Sequence, residues 1–206
     1  MVETLIFSLI FIKTKLYIKL GKFQIHKESY LIKPILKRWS IYPVIIMSIF
    51  YVYLQCTIMN QNYYFLQYQH IIKNAILGSY MVLGLDVLLR YEKYKEYIIA
   101  CCSLLCGFTL NYIVMHFNQG KMPIFPDISY STGYTQYNVI MNASKFSDFH
   151  VLGDHTTRLI FLSDIFDIGG SIWSPGDVLC RLFAFIIVYF SVKEISKIHM
   201  NKIENQ

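Results

Sequence analysis

Tyr97–Phe117 reads YIIACCSLLCGFTLNYIVMHF and Trp39–Met59 reads WSIYPVIIMSIFYVYLQCTIM, and neither stretch contains Asp, Glu, Lys or Arg. Each supplies the roughly 20 apolar residues that a helix needs to cross the hydrocarbon core of a bilayer. The whole chain agrees with them. Its 206 residues are 55% hydrophobic and 16% charged, with a mean hydropathy of +0.41, too apolar for an ordinary soluble domain. Two further segments are long enough if the charges near their ends reach the interface: His70–Leu89, with Lys73 and Asp86, and Asp177–Ser196, with Arg181, Lys193 and Glu194. In the first candidate, Met1 to about Leu20, the apolar core is only Thr4–Ile12 before Lys13, Lys15 and Lys19, so that it spans or lies in the interface. Glu3 and the lack of a small-x-small site after Ile12 argue against a cleaved signal peptide.

The placement of basic residues orders these segments, because loops retained in the cytoplasm carry the excess of Lys and Arg. Lys13–Arg38 holds eight basic residues against Glu28, and the link after the third segment holds Arg90, Lys93 and Lys95 beside Glu92 and Glu96. By contrast, Asn60–Gln69 has no basic residue, and Asn118–Gly176 sets Lys121, Lys145 and Arg158 against Asp127, Asp148, Asp154, Asp164 and Asp167. The expectation is an all-α polytopic membrane protein, a single domain over 1–206 with about five transmembrane helices at 1–20, 39–59, 70–89, 97–117 and 177–196. Residues 118–176, about 59 in number, form an extracytoplasmic loop before the last helix. The N-terminus falls outside and the C-terminus in the cytoplasm of a cell-membrane protein. The net charge of +6 sits in short runs between apolar stretches rather than on a polar aromatic platform, so no nucleic-acid partner is expected. The partner read from composition is the lipid bilayer.

The segment 118–176 is too long for a bare connector and too apolar for a disordered linker, and such segments usually carry function. It begins with Asn118-Gln119-Gly120-Lys121-Met122-Pro123, where Gly can take the left-handed position past a helix end and Pro forbids resumption. Asn118 and Lys121 are also candidates to present polar groups to a ligand. The segment ends with Ser174-Pro175-Gly176-Asp177, which fits a helix start: Ser as N-cap, Pro at the first helical position and an acid two residues on, reaching back to the cap. Asp177 precedes Arg181 by one turn, the spacing of a local ion pair, and is also a candidate proton carrier or base.

Between them, His150, Asp154, His155, Arg158 and Asp164 form the densest polar cluster in the chain, followed by Asp167. The histidine spacing does not aim two rings at one metal, so hydrogen bonds that order the loop are the reading and no metal or cofactor is expected. His150 and Asp164 are the acid/base candidates. On the fourth helix His116, a further ligand-binding candidate with Asn118, Lys121, Arg158 and Asp164, and Asn111 are expected to face other helices rather than lipid, and on the third Asp86 is expected to pair with Arg90 at i+4, with Lys73 an interfacial anchor. Cys56, Cys101, Cys102, Cys106 and Cys180 all lie in apolar runs, as packed thiols without a disulfide framework or a nucleophilic role. Asn142-Ala143-Ser144 matches the glycosylation sequon, a pattern common by chance. Hydrolase, nucleotide-loop and zinc-protease signatures are absent. Abundant Ile, Lys, Asn and Tyr suggests an AT-rich genome and a bacterium.

With these residues in view, the chain resembles a bacterial membrane-protein family of unknown function, domain of unknown function 5317. The resemblance runs through Asn118–Pro123, His150, the run Thr157-Arg158-Leu159-Ile160-Phe161-Leu162-Ser163-Asp164 and Ser174–Asp177, in order along nearly the whole chain. Gln119 stands where that family usually has a second glycine, and Leu20-Gly21-Lys22 has one glycine where two are common. The resemblance implies five helices and nominates Asn118, Met122, Pro123, His150, Arg158, Asp164 and Asp177; it implies no activity. The functional expectation is a loop that binds a ligand, a peptide or a membrane-protein partner, with Arg158 and Asp164 in a buried polar network. The alternative is a membrane hydrolase or transferase on a lipid-linked substrate, with His150 or Asp164 as acid/base.

Overall fold

The computed structural model describes residues 2–20, 36–60, 62, 64–92, 94–131, 150–168 and 171–204. The basic link 21–35, Lys93, the sequon at Asn142, Lys145 and Asp148 lie outside the described residues. Five long helices carry most of the described chain: α1 (Val2–Leu20), α2 (Ile41–Met59), α3 (Gln69–Tyr91), α4 (Tyr94–Phe117) and α6 (Pro175–Glu204). They begin within a few residues of the starts expected from hydropathy, and α6 runs beyond the end expected at Ser196. Two of the helices are long and apolar enough to cross a membrane, over Ile71–Tyr91 and Tyr94–Phe117; Thr4–Thr14 and Ile41–Thr57 are shorter apolar helices.

The all-α expectation needs one correction, because the segment between α4 and α6 builds short strands as well as the one-turn helix α5 (Asp127–Ser131). These are β1 (Met122–Ile124), β2 (His150–Leu152), β3 (Phe166–Asp167) and β4 (Ile172–Trp173). The physical cause is local. Pro123 fixes an extended backbone and donates no hydrogen bond, so the residues after α4 can only pair sideways. β1 does so on both edges. It lies parallel to β2 with Met122 opposite His150, and Ile124 bridges Asp164. The Asp164 amide donates to Pro123 O at 3.0 Å, and the Phe125 amide donates to Asp164 O at 3.0 Å. β3 and β4 pair antiparallel, with Phe166 opposite Trp173.

The chain divides into two compact units. The first comprises Met1–Val52, Asn74–Cys101 and Leu182–Gln206. Its buried residues include Val44, Tyr80, Leu83, Ala100, Phe183 and Val188. Gly84 lies against Ile187 and Tyr97. Asp86 accepts from Arg90 Nε at 2.7 Å, the pair expected at i+4, and from Ser40 Oγ at 2.8 Å. Ile46, Ile49, Ile71, Ile99 and Leu105 are among the large apolar side chains that the helices of the two units leave exposed. The second unit comprises Tyr53–Lys73 and Cys102–Arg181 and holds every candidate site residue in the 118–176 segment.

The end of α4 follows from its sequence. Gly120 takes a φ of 79° and donates its amide to Met115 O at 2.8 Å, closing the last turn as a glycine past a helix end does. Gln119 also adopts a left-handed backbone, with a φ of 58°.

Candidate functional site

The start of α6 organises the site. Ser174 Oγ accepts from the Asp177 amide at 2.9 Å, the N-cap bond expected of Ser-Pro-Gly-Asp. The acid does something other than reach back to the cap. Asp177 Oδ1 accepts from Lys73 Nζ of α3 at 2.7 Å and from Asn111 Nδ2 of α4 at 3.1 Å. Asn111 is in turn oriented by Ser174, whose hydroxyl donates to Asn111 Oδ1 at 2.8 Å. Lys73, expected as an interfacial anchor, is thus the ion-pair partner of Asp177. Arg181, the partner expected from spacing, has its guanidinium 3.8 Å above the Trp173 ring.

Two glycines permit this arrangement. A Cβ on Gly107 would lie 2.6 Å from Gly176 O, and a Cβ on Gly176 would meet Asn111 Oδ1 and lie 2.6 Å from Gly107 O. Backbones therefore touch where α4 meets the first turn of α6, and this close approach brings Asn111 within reach of Ser174 and Asp177. Ser103 Oγ adds a bond to Leu179 O at 2.8 Å.

The small sheet contributes the second pair. His150 on β2 and Asp164, bridged to the opposite edge of β1, bring Nε2 and Oδ2 to 3.7 Å, too long for a hydrogen bond. Asp164 is 3% exposed, and its Oδ1 has no hydrogen-bond partner among the described residues. Burial, and then the negative charge of Asp177, raise its pKa well above the ordinary carboxyl value, against the pull of Lys73. Burial, and then the positive charge of Lys73, lower the pKa of His150 to about 4, with Asp177 opposing. At neutral pH the imidazole is therefore neutral, and burial favours the protonated form of the carboxyl facing it, so the contact is not an ion pair. Lys73, Asn111, Ser174 and Asp177 form one polar set, and His150 and Asp164 lie in its electrostatic field.

The remaining candidates play other parts. Asn118 is a structural clamp: its Nδ2 donates to Val114 O and to Arg158 O, both at 2.9 Å, and its Oδ1 accepts from the Arg158 amide at 3.0 Å. Arg158 is exposed and joins this clamp through its main chain, so the expected Arg158–Asp164 network is not what the fold builds. The left-handed Leu159, φ 56°, and the 3₁₀ turn Ile160–Leu162 separate the two residues. Lys121 is exposed. His116, expected to face other helices, is exposed and stacks on Tyr112 at 6.1 Å. Asp154 turns back onto its own loop, accepting from the Thr156 amide at 2.8 Å and the Thr156 hydroxyl at 2.6 Å, bonds that lower its pKa; His155 is exposed. Among the described residues no group of three or more His, Cys, Asp or Glu is placed to hold a metal.

Sequence reasoning found His150, Asp164 and Asp177 and undervalued Lys73, Asn111 and Ser174. One signal was available for Lys73: it and Asp177 are opposite charges that the expected topology puts at the same membrane side.

Residues 33–189 match the family of unknown function DUF5317. The chain belongs to that family. The match covers all six residues of the two polar sets, so this site lies within the DUF5317 region itself, whereas α1 precedes it. No curated protein and no solved structure matches the chain.

Proposed function

We propose that this DUF5317 protein is a bacterial multi-pass protein of the cell membrane, with five spans, the N-terminus outside and the C-terminus cytoplasmic. Through its extracytoplasmic 118–176 segment it binds a polar ligand or a peptide or membrane-protein partner, in a transport- or immunity-like role. The apolar side chains exposed on the helices and the distribution of Lys and Arg support the membrane reading. One observation carries the binding reading: a carboxyl oxygen of Asp164, buried near His150 and within the electrostatic field of the Lys73–Asp177 pair, lacks a hydrogen-bond partner among the described residues. An unsatisfied buried polar group costs about 1–3 kcal/mol, and a bound ligand that supplies the missing bond removes that cost.

The test compares wild type with Asp164→Asn and Asp164→Ala after extraction into lipid nanodiscs. Native mass spectrometry should show a co-purifying ligand or partner in wild type that both variants lose. A variant that accumulates normally and keeps the wild-type set of bound species sinks the binding reading. For topology, an external thiol reagent should label Ser131→Cys and spare Ser29→Cys; labelling at position 29 overturns the orientation.

The His150–Asp164 contact favours one second reading, a hydrolase or transferase on a lipid-linked substrate with this pair as base and acid. It is distinguished by product: His150→Ala and Asp164→Asn would then leave abundance intact while one lipid species disappears from the membrane profile.

A further inference from the structure

Two carboxyls and one lysine share the site, and their bonds are unequal. Asp177 has Lys73 at 2.7 Å and Asn111 at 3.1 Å. Asp164, 3% exposed, has His150 Nε2 at 3.7 Å and an Oδ1 without a partner among the described residues. An ionised carboxylate in that setting would have neither solvent nor a bonded cation, because the nearby lysine is already engaged. The charged groups acting on Asp164 are Asp177 of α6, which disfavours its ionisation, and Lys73 of α3, which favours it; Arg181 of α6 acts in turn on Asp177. His150 of β2 is the titratable neighbour on the sheet.

We propose that Asp164 is a reversible proton-binding site, exchanging one proton with water while Asp164 and Asp177 compete for Lys73. The deprotonation step balances simply. The Asp164 O–H bond breaks, the proton passes to water, and the new carboxylate draws Lys73 away from Asp177, with the His150 imidazole 3.7 Å away remaining neutral. A cationic group that binds at Oδ1 then replaces the proton, and one proton leaves for each such group bound. The physiological use of this exchange rests on the binding reading above; the proton itself does not, and the experiment needs no ligand.

The experiment is an infrared pH titration of the full chain in lipid bilayers, following the carbonyl stretch of protonated carboxyl groups. Wild type should show such a band at pH 7, and Asp164→Asn should lose it. Asp177→Asn, which releases Lys73 toward Asp164, should keep the band at low pH but move its midpoint downward by a pH unit or more. A wild-type band already absent at pH 7, a band that survives Asp164→Asn, or a midpoint unmoved in Asp177→Asn overturns the proposal. Should Asp164→Asn fail to accumulate, the wild-type titration and the Asp177→Asn shift decide alone. Wild type that shows the proton band but co-purifies with no bound species would count against the binding reading, not against the proton site.

Discussion

Replacing Gly176 with alanine separates a helix-propensity effect from a packing effect. In a helix interior alanine is favoured over glycine by up to about 1 kcal/mol, so propensity alone makes any helical Gly→Ala change stabilising. At Gly78 on α3 a Cβ would meet nothing within 4 Å, and Gly78→Ala should be neutral or stabilising by about that amount. At Gly176 the Cβ lands on Asn111 Oδ1 and 2.6 Å from Gly107 O. Overpacking of this kind costs about 1–3 kcal/mol. Displacing Asn111 also breaks its bonds to Ser174 and Asp177, at about 1 kcal/mol for the neutral bond and roughly 1.5–3 kcal/mol for the charged one. Against the propensity gain, the net loss is about 3–6 kcal/mol, and at about 2–4 °C per kcal/mol the unfolding midpoint falls by roughly 6–24 °C. Thermal unfolding in detergent, followed by tryptophan fluorescence, measures it. Gly107→Ala, whose Cβ would lie 2.6 Å from Gly176 O and 2.9 Å from Cys180 Sγ, should resemble Gly176→Ala and not Gly78→Ala. If all three variants shift the midpoint alike, the close backbone approach is wrong.

Gln119 holds a left-handed backbone with a φ of 58°, so Gln119→Gly should stabilise the chain by about 0.5–1 kcal/mol, and Gln119→Ala should give no gain in the same melt. The His150–Asp164 pair predicts opposed pH dependences. His150 titrates at about 4 in the fold against 6.5 ordinarily, so the unfolded chain takes the proton first and this residue's contribution is lost as pH falls from 6.5 toward 4. The raised Asp164 pKa works the other way: its contribution is complete below the ordinary carboxyl value and is lost as pH rises through the raised one. Relative to wild type, His150→Gln should therefore lose stability more steeply with rising pH, and Asp164→Asn should gain it between pH 4 and 6.5. Parallel melting-versus-pH curves for all three proteins would refute both shifts.

The helices were legible because hydropathy and charge act over whole turns: α2 and the Tyr97–Phe117 part of α4 stand out as uncharged runs, and Ser174 and Gly120 mark a start and a stop that the hydrogen bonds reproduce. The pairings were less so. Asp86–Arg90 could be read because one helix sets the spacing, whereas Lys73–Asp177 joins residues 104 apart through the placement of two helices. Arg158 misled for a similar reason: a charged side chain suggests a charged contact, but Asn118 grips the Arg158 backbone, to which any side chain would be equally suited. The short strands were hidden because three residues are too few to display an alternating pattern.

β1 is only three residues long, yet it is hydrogen-bonded along both margins, to β2 and to Asp164. Successive residues of a strand point to opposite sides, so sliding either neighbour by one position would turn its key side chain away from the other. His150 and Asp164 are thereby indexed to the same three-residue ruler. The His150–Asp164 contact is all-or-none: it assembles in a single register, and no partial slip leaves a weakened version in place.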